Sequence, residues 1–365
     1  MAGTSMWCSP RLVSPMVNRW RSFPQPESSH CSLSCVCSSN ISEAVLHPFP
    51  PGPRPLPTWR SSNDCSNWLV SRGPFMVVEP DHLADIIIPT HSHASLLEVT
   101  LETAVAQTIS DIGIVVVGDG VGDDTRAVVA SAMEKDHRIR FHDLPKGPRT
   151  GEAHRHHIVL ASSARFVTYL CDDDLLFPDH VERVAAQLGR YDVTMPPNTE
   201  VLPGGLVRSS SYTLESGRGR RLQLAGQSLF GLSGLSHTVD AYRRLPEGWS
   251  ETPEGYYTDQ YMILKFLRQP WCRIGRIDEP TTMQFQSVAR RGVPMEERRS
   301  EMDRSYQWAR EQDGWNQFRR LAAGSRRRHR VRTQPVGRLA AALMPAALSQ
   351  ALSGRRSIPS AGRAG

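Results

Sequence analysis

The chain has 365 residues, of which 39% are hydrophobic and 22% charged, and its formal net charge is +6. This composition is typical of a soluble protein with a substantial core, and no apolar run reaches the roughly 18 residues that a membrane span requires. The first twenty residues lack the continuous apolar segment of a secretory signal, so we expect a cytoplasmic protein.

The first 75 residues differ in composition from the rest of the chain. They are rich in Ser, Pro and Cys, and proline recurs at nearly every other position in residues 48–57. Such a sequence has no hydrophobic periodicity with which to build a core, so we predict a disordered extension over residues 1–75. A further hypothesis is that the natural protein starts at Met76, directly before the first predicted strand. The seven cysteines, an odd number without a secretory signal, argue against a disulfide framework.

From Ala84 onward, short apolar strands alternate with amphipathic helices. Because the strands are continuously apolar, they indicate a sheet that helices cover on both faces. The pattern predicts an α/β fold with a doubly wound, mostly parallel central sheet and a smaller mixed half after Tyr191. We place this domain at residues 76–310, followed by a helical and then basic, disordered tail over residues 311–365. The predicted strands are residues 86–88, 112–117, 139–141 and 165–170, and the predicted helices between and after them are residues 95–108, 123–135, 151–162 and one that starts near Pro178.

Three consecutive carboxylates, Asp172, Asp173 and Asp174, follow a predicted parallel strand. Ligands of open α/β sheets bind at this edge, and adjacent carboxylates repel one another unless a cation neutralises them. Oxygen ligands suit Mg²⁺ or Mn²⁺. Alternation along an extended strand would point Asp172 and Asp174 the same way, so we predict these two as metal ligands, with Asp174 first. The alternative is that the acids cap the next helix, although a cap needs only one or two of them.

A second polar segment, residues 117–125, also follows a strand and contains three glycines. Glycine lets a ligand approach the backbone closely, and the Asp119 carboxylate can accept hydrogen bonds from a ribose or a base. The alternative is a tight turn in which Asp123 and Asp124 cap the next helix. The histidines at 91, 93, 154, 156 and 157 show no regular ligand spacing, and we assign them no metal.

Taken in order, Ile-Ile-Ile-Pro-Thr at 86–90, Val-Val-Gly-Asp-Gly at 116–120 and Tyr-Leu-Cys-Asp-Asp-Asp at 169–174 resemble the family 2 glycosyltransferases. The resemblance spans about residues 84–310 and implies the GT-A fold, which binds nucleoside-diphosphate sugars. It also implies an inverting, metal-dependent enzyme of glycan biosynthesis that moves a hexosyl or deoxyhexosyl group to an acceptor hydroxyl. Family members usually carry an Arg-Asn pair before the metal strand, whereas this chain has Arg155 followed by His156.

The resemblance implies a role for individual residues. Asp172 and Asp174 would hold Mg²⁺ or Mn²⁺, and a later carboxylate would deprotonate the acceptor. The best match for that base is Asp259, although Thr258 stands where the family has a first acid, and a helix N-terminal charge is an equally good interpretation. His237 resembles a segment on the acceptor side, and Arg290 would neutralise the leaving diphosphate unless it lies in a solvated loop. The residues implied to bind the donor are Pro89, Thr90, Asp119, Arg155, Asp172 and Asp173.

The partners follow from the same resemblance. The donor would be a UDP-sugar or a dTDP-sugar, and the acceptor a glycan, a lipid-linked molecule or a small molecule. Residues 336–352 are rich in Ala and Leu and have arginines nearby, which would suit peripheral contact with an anionic membrane at its inner face; a frayed tail is the alternative.

Two other functions fit part of the sequence. A nucleotidyltransferase of the same fold would carry a Gly-rich basic loop after the first strand, which residues 89–92 do not resemble. A non-enzymatic protein could bind phosphates or nucleic acid through the Arg-rich segment after Arg319, but that function leaves the aspartates unexplained. We therefore expect no nucleic-acid partner.

Overall fold

The computed structural model describes residues 80–311 and 313–333, with side chains as far as Arg327. The predicted extension, residues 1–75, and the end of the tail, residues 334–365, lie outside the described residues. The strands are β1 His82–Thr90, β2 Ile112–Asp119, β3 Ile139–Leu144, β4 Ala164–Tyr169, β5 Asp174–Leu176, β6 Val193–Thr194, β7 Thr199–Leu202, β8 Leu206–Ser209, β9 Ser236–Thr238 and β10 Thr282–Gln284. The helices are α1 Ala94–Val105, α2 Asp123–Lys135, α3 His154–Ala161, α4 His180–Leu188, α5 Gly217–Leu224, α6 Val239–Arg243, α7 Thr258–Leu267, α8 Met295–Arg310 and α9 Gly314–Thr333, with a 3-10 helix at Ser287–Arg290.

The larger sheet has six strands in the order β3-β2-β1-β4-β9-β6. β1 pairs in parallel with both β2 and β4, and β2 pairs in parallel with β3, while β9 runs antiparallel to β4 and β6. Side chains of β1 alternate between two apolar layers, because Ile87 packs in one core cluster and Ile86 and Ile88 pack in the other. The predicted doubly wound, mostly parallel sheet with both faces covered is confirmed.

A smaller mixed sheet has the order β5-β10-β7-β8, with β10 antiparallel to β5 and parallel to β7. α9 packs against this half: Phe318 is fully buried, and its ring centroid lies 5.6 Å from that of Phe177. Arg319 also pairs with Asp179 at 2.6 Å. The packed body therefore continues beyond residue 310, where the sequence placed its boundary.

The parallel register determines which residues meet at one edge of the larger sheet. Thr90 at the end of β1 lies opposite Gly118 of β2, and Ile87 lies opposite Tyr169 of β4. Since parallel strands present their carboxyl ends together, Thr90, Asp119 and the segment after Tyr169 share this edge. Within the described ranges, no helix is long and apolar enough to cross a membrane.

Candidate active site

Asp172 and Asp173 lie in a turn, and Asp174 is the first residue of the next strand. β4 ends at Tyr169 and β5 begins at Asp174, whose amide donates a hydrogen bond to the carbonyl oxygen of Cys171 at 3.2 Å. The alternation that predicted Asp172 and Asp174 on one side therefore does not apply. Instead, the three carboxylates contact three different sets of partners, and none of them caps α4, whose N-cap residue is Asp179.

Asp172 is held by the segment that follows β1. The hydroxyl of Thr90 donates to one carboxylate oxygen at 2.7 Å, and Nδ1 of His93 lies 2.9 Å from the other. The hydrogen bond with Asp172 raises the pKa of His93. The carboxyl end of β1 is thus joined directly to the aspartate turn, as expected of neighbouring parallel strands.

Asp174 has a structural set of contacts. Its two oxygens accept hydrogen bonds from Ser233 Oγ at 2.5 Å and from the amide of Phe285 at 2.7 Å, and the residue is only 5% exposed. Burial, followed by repulsion from Asp173, raises the pKa of Asp174 well above its usual value. These contacts fasten the turn to the segment after β10, while Asp174 also belongs to one of the two groups of ligand atoms that could hold an ion.

Asp173 is the carboxylate best placed for a cation. One of its oxygens, Oδ2, accepts from Ser287 Oγ at 2.7 Å and from Arg298 Nη2 at 2.8 Å, and these contacts leave Oδ1 without a hydrogen-bond partner among the described residues. Burial and then the neighbouring Asp172 raise its pKa. Since burial and like charge both oppose ionisation, a bound cation would stabilise the charged form.

The donor atoms around the turn fit a divalent ion. Two groups have ligand atoms within 4.8 Å of one another, namely His93 with Asp172 and Asp173, and Cys171 with Asp173 and Asp174. Asp173 belongs to both groups. The guanidinium of Arg298 already contacts Asp173, so a positive charge stands beside these carboxylates as an internal substitute for an ion. The chemistry of the site therefore agrees with the expected Mg²⁺ or Mn²⁺.

Asp119, at the end of β2, faces a basic and glycine-containing loop. Its carboxylate accepts hydrogen bonds from Lys146 Nζ at 2.7 Å and from the amide of Gly147 at 2.6 Å. Gly151 has a φ of +62°, and a Cβ at that position would overlap the Asp119 carboxylate. Glycine is therefore required at 151, because any side chain there would displace this carboxylate and because the residue has a positive φ.

Arg155 lies inside the protein with unused donors. It is 4% exposed, and its guanidinium carbon lies 4.7 Å from the centre of the Trp249 ring. Its Nε and Nη1 have no hydrogen-bond partner among the described residues. Burial lowers the pKa of Arg155, while the carboxylates of Glu152 and Asp259 favour its charged form. Because a buried donor without a partner costs about 1–3 kcal/mol, this arrangement points to an acceptor that arrives with a ligand.

Asp259 lies in the first turn of α7 and belongs to the same region. Its Oδ1 accepts from the amide of Gln260 at 2.7 Å, and its Oδ2 lies 3.9 Å from a Cβ placed on Gly231. Gly231 lies two residues before Ser233, whose hydroxyl donates a hydrogen bond to Asp174. Burial raises the pKa of Asp259, and the charge of Arg155 opposes that change. A carboxylate with a raised pKa is suited to accept a proton.

The structure places two predicted site residues elsewhere. His237 of β9 is 0% exposed, with Nε2 3.0 Å from the Tyr169 hydroxyl and Nδ1 3.0 Å from the carbonyl oxygen of Thr238. Arg290 is buried in an ion pair with Glu301 at 2.6 Å. Because both side chains are satisfied inside the protein, their positions disagree with the predicted roles at the acceptor side and at the leaving diphosphate.

Three residues of the site were missed in the sequence. Arg298 reaches Asp173 from 125 positions away, and Ser233 reaches Asp174 from 59 positions away. His93 is next to the predicted Pro-Thr segment, but its spacing matched no metal motif. A basic residue after the last strand and a small hydroxyl residue in a Gly-rich loop are common features, so no local signal distinguishes Arg298 or Ser233.

Comparisons with known proteins relate part of the chain to one family. Residues 85–244 match the family model described as glycosyl transferase family 2. The GalNAc(5)-diNAcBac-PP-undecaprenol beta-1,3-glucosyltransferase of Campylobacter jejuni is 32% identical over 94 residues, which are 25% of this chain and 29% of that protein. The chain thus matches less than a third of the length of this relative.

Two solved structures also resemble the chain at low sequence identity. S. aureus TarS 1–349 in complex with UDP-GlcNAc has a TM-score of 0.45 and 16% identity, covering 56% of this chain and 58% of that one. Mannosyltransferase PcManGT from Pyrobaculum calidifontis, in complex with GDP-Man and Mn²⁺, has a TM-score of 0.41 and 17% identity, covering 76% of this chain and 81% of that one.

The mostly parallel α/β sheet agrees with the family match, which covers less than half of the chain. Residues 85–244 form a glycosyl transferase family 2 domain, which confirms the family that the three sequence segments resemble.

Proposed function

We propose that this protein is an inverting, metal-dependent glycosyltransferase that moves a sugar from a nucleoside diphosphate to an acceptor hydroxyl. The observation that carries the proposal is the sheet edge shared by Thr90, Asp119 and the aspartate turn. Near it, the buried Arg155 has donors without a partner among the described residues and interacts electrostatically with Cys171 and Asp259. These groups supply what a nucleotide, a diphosphate and a reacting hydroxyl each need.

The nucleoside would bind between the ends of β1 and β2. Pro89 and Thr90 form one side, and the Asp119 carboxylate, held by Lys146 and Gly147, offers an acceptor for base or ribose donors. The backbone after β2 contains glycine, which permits close approach. A UDP-sugar or a dTDP-sugar is the donor class that we propose.

The diphosphate would lie beside the aspartate turn. Asp173 and Asp172 would hold the metal, and Asp174 would position the turn through Ser233 and Phe285. When bound, Mg²⁺ or Mn²⁺ stabilises the negative charge that develops on a leaving diphosphate. The buried Arg155 would donate its unused N–H groups to a donor oxygen, since ionic hydrogen bonds are strongest in buried surroundings.

Asp259 would act as the base. Its carboxylate takes the proton of the acceptor hydroxyl while that oxygen forms a bond to the anomeric carbon. The bond from the anomeric carbon to the diphosphate oxygen breaks on the opposite face, and the diphosphate leaves with the electron pair. A single displacement of this kind inverts the anomeric centre. The burial that raises the pKa of Asp259 makes it a stronger base.

A lipid-linked glycan is the acceptor class that we propose. The name of the C. jejuni relative specifies an undecaprenyl-diphosphate glycan as the molecule on which that protein acts. The Ala- and Leu-rich residues 336–352, which lie outside the described residues, would then bring the protein to an anionic membrane surface.

The test is a donor screen with matched aspartate variants. Purified protein is incubated with Mn²⁺ and a panel of nucleoside-diphosphate sugars, and released nucleoside diphosphate is measured. We expect release from one donor, lost with Asp173→Asn and reduced about 10²–10⁴-fold with Asp259→Asn, as for other general bases. Asp240→Asn, whose side chain is 92% exposed, is the control and should match the parent protein. Production of pyrophosphate from a sugar phosphate and a nucleoside triphosphate would instead establish a nucleotidyltransferase.

A further inference from the structure

The contacts of His93 favour one tautomer of its neutral ring. Nδ1 lies 2.9 Å from a carboxylate oxygen of Asp172, and Nε2 lies 3.5 Å from Nη1 of Arg298. A guanidinium can only donate, so in the neutral ring this contact favours the tautomer in which Nδ1 donates to the carboxylate and Nε2 keeps the lone pair. Histidines that bind metals have this arrangement, in which the other ring N–H is oriented by a carboxylate.

The position in front of that lone pair is taken by a cation of the protein itself. Arg298, in the first turn of α8, donates to Asp173 Oδ2 at 2.8 Å through the same guanidinium that faces His93 Nε2. Its side chain is 8% exposed, and its Nε has no hydrogen-bond partner among the described residues. The guanidinium therefore bridges an imidazole nitrogen and a carboxylate, as a divalent ion in this place would do.

We propose that His93 binds the divalent metal through Nε2 together with Asp173, and that Arg298 occupies this position when no metal is bound. Asp172 then orients His93 in addition to any direct contact with the ion. The inference rests on the metal site of the proposed function, although not on the transfer reaction.

The proposal also determines the preferred metal. Mg²⁺ prefers a shell of oxygen atoms and water, whereas imidazole suits the transition metals. A site with one imidazole and one or two carboxylates should thus bind Mn²⁺ or Co²⁺ more tightly than Mg²⁺. Arg298 competes with each of these ions, since its charge must move away before a second cation can bind.

The experiment measures Mn²⁺ binding to the full chain by electron paramagnetic resonance, with no donor present. Electron spin echo spectra of bound Mn²⁺ report a directly coordinated nitrogen. We expect nitrogen modulation in the parent protein, its loss with His93→Gln, and a fall in Mn²⁺ affinity of about tenfold or more, in the range seen when metal-site residues are changed. Mg²⁺ affinity, measured by competition, should change less. His137→Gln removes an exposed histidine and should leave both readouts unchanged.

Arg298→Gln provides a second, opposite readout. It should tighten Mn²⁺ binding, because it removes the competing charge, whereas a merely structural arginine would leave the affinity unchanged or weaken it. If His93→Gln fails to fold, labelling the parent protein with ¹⁵N-histidine identifies the modulation, since the signal frequency must change with the isotope.

The proposal is overturned if Mn²⁺ fails to bind the parent protein, or if it binds without nitrogen modulation. These outcomes are separate from the proposed function. Sugar transfer with a nitrogen-free metal site would refute only the role of His93, whereas nitrogen modulation without transfer from any donor would count against the glycosyltransferase.

Discussion

Two fully buried histidines should make the folded protein sensitive to acid. His237 of β9 has both ring nitrogens within hydrogen-bond distance of a partner, the Tyr169 hydroxyl and the Thr238 carbonyl oxygen. The ring of His180 lies between the hydroxyls of Thr168 and Thr281, each at 2.8 Å. Burial lowers the pKa of each histidine to about 4. Both rings are therefore neutral in the folded protein at pH values where an unfolded histidine, with a pKa of about 6.5, is already protonated.

The sign and size of the effect follow from this difference in pKa. Because the folded pKa values are depressed, the stability is fully present above about pH 6.5 and is lost as the pH falls toward 4. At pH 5 the linkage costs about 2 kcal/mol for each histidine, and about 4 kcal/mol for the pair. Buried carboxylates with lowered pKa values, such as Glu152 at about 2, contribute mainly at lower pH.

The assay is urea unfolding at pH 7 and pH 5 for the parent protein and His237→Gln. The variant loses hydrogen bonds and should be less stable at pH 7, but its free energy of unfolding should fall by about 2 kcal/mol less between the two pH values. His137→Gln, which removes an exposed histidine, should show the same fall as the parent. If the free energy of unfolding falls equally in the parent protein and in His237→Gln, His237 is not buried in a neutral form. A role for His237 on the acceptor side would then be open again.

Two further pairs of variants separate the roles of neighbouring positions. Gly151→Ala places a methyl group against Asp119 and should weaken nucleotide binding, measured by calorimetry. Gly204 also has a positive φ, but a methyl group there meets no heavy atom of the described residues within 4 Å. Gly204→Ala should therefore lower the unfolding free energy by about 1 kcal/mol and leave nucleotide binding unchanged. Asp174→Asn should cost about 1–3 kcal/mol of unfolding free energy and retain Mn²⁺ binding, because its contacts are structural. Asp173→Asn should lose Mn²⁺ binding, and it should also lower stability because it leaves the buried Arg298 without its ion-pair partner. Retained Mn²⁺ binding in Asp173→Asn together with its loss in Asp174→Asn would contradict the assignment of the metal ligand.

The parts of the fold that depend on local sequence could be predicted. The apolar residues of β1 and β2 indicated buried parallel strands, and α2 occupies residues 123–135 as predicted, directly after the turn at Gly122. Once the strands were known to be parallel, the shared edge of Thr90, Asp119 and the aspartates followed from topology. These features need only residues that are close together in the sequence.

The parts of the site that depend on distant contacts could not be predicted. The strand predicted at residues 165–170 is present as β4, but Asp172 and Asp173 after it lie in a turn, so the expected alternation of the aspartate side chains does not apply. The insertion of β9 between β4 and β6 buried His237, which a short strand in isolation does not indicate. The burial of Arg290 likewise depends on a distant contact, its ion pair with Glu301 of α8.

The most direct test of the glycosyltransferase assignment is the anomeric configuration of the product, measured by nuclear magnetic resonance after transfer from the donor that the screen identifies. The reaction should require Mn²⁺ or Mg²⁺, depend on Asp173 and Asp259, and give a linkage of opposite configuration to the donor. Retention of the donor configuration, or equal turnover with Asp259→Asn, would contradict a single displacement with Asp259 as the base.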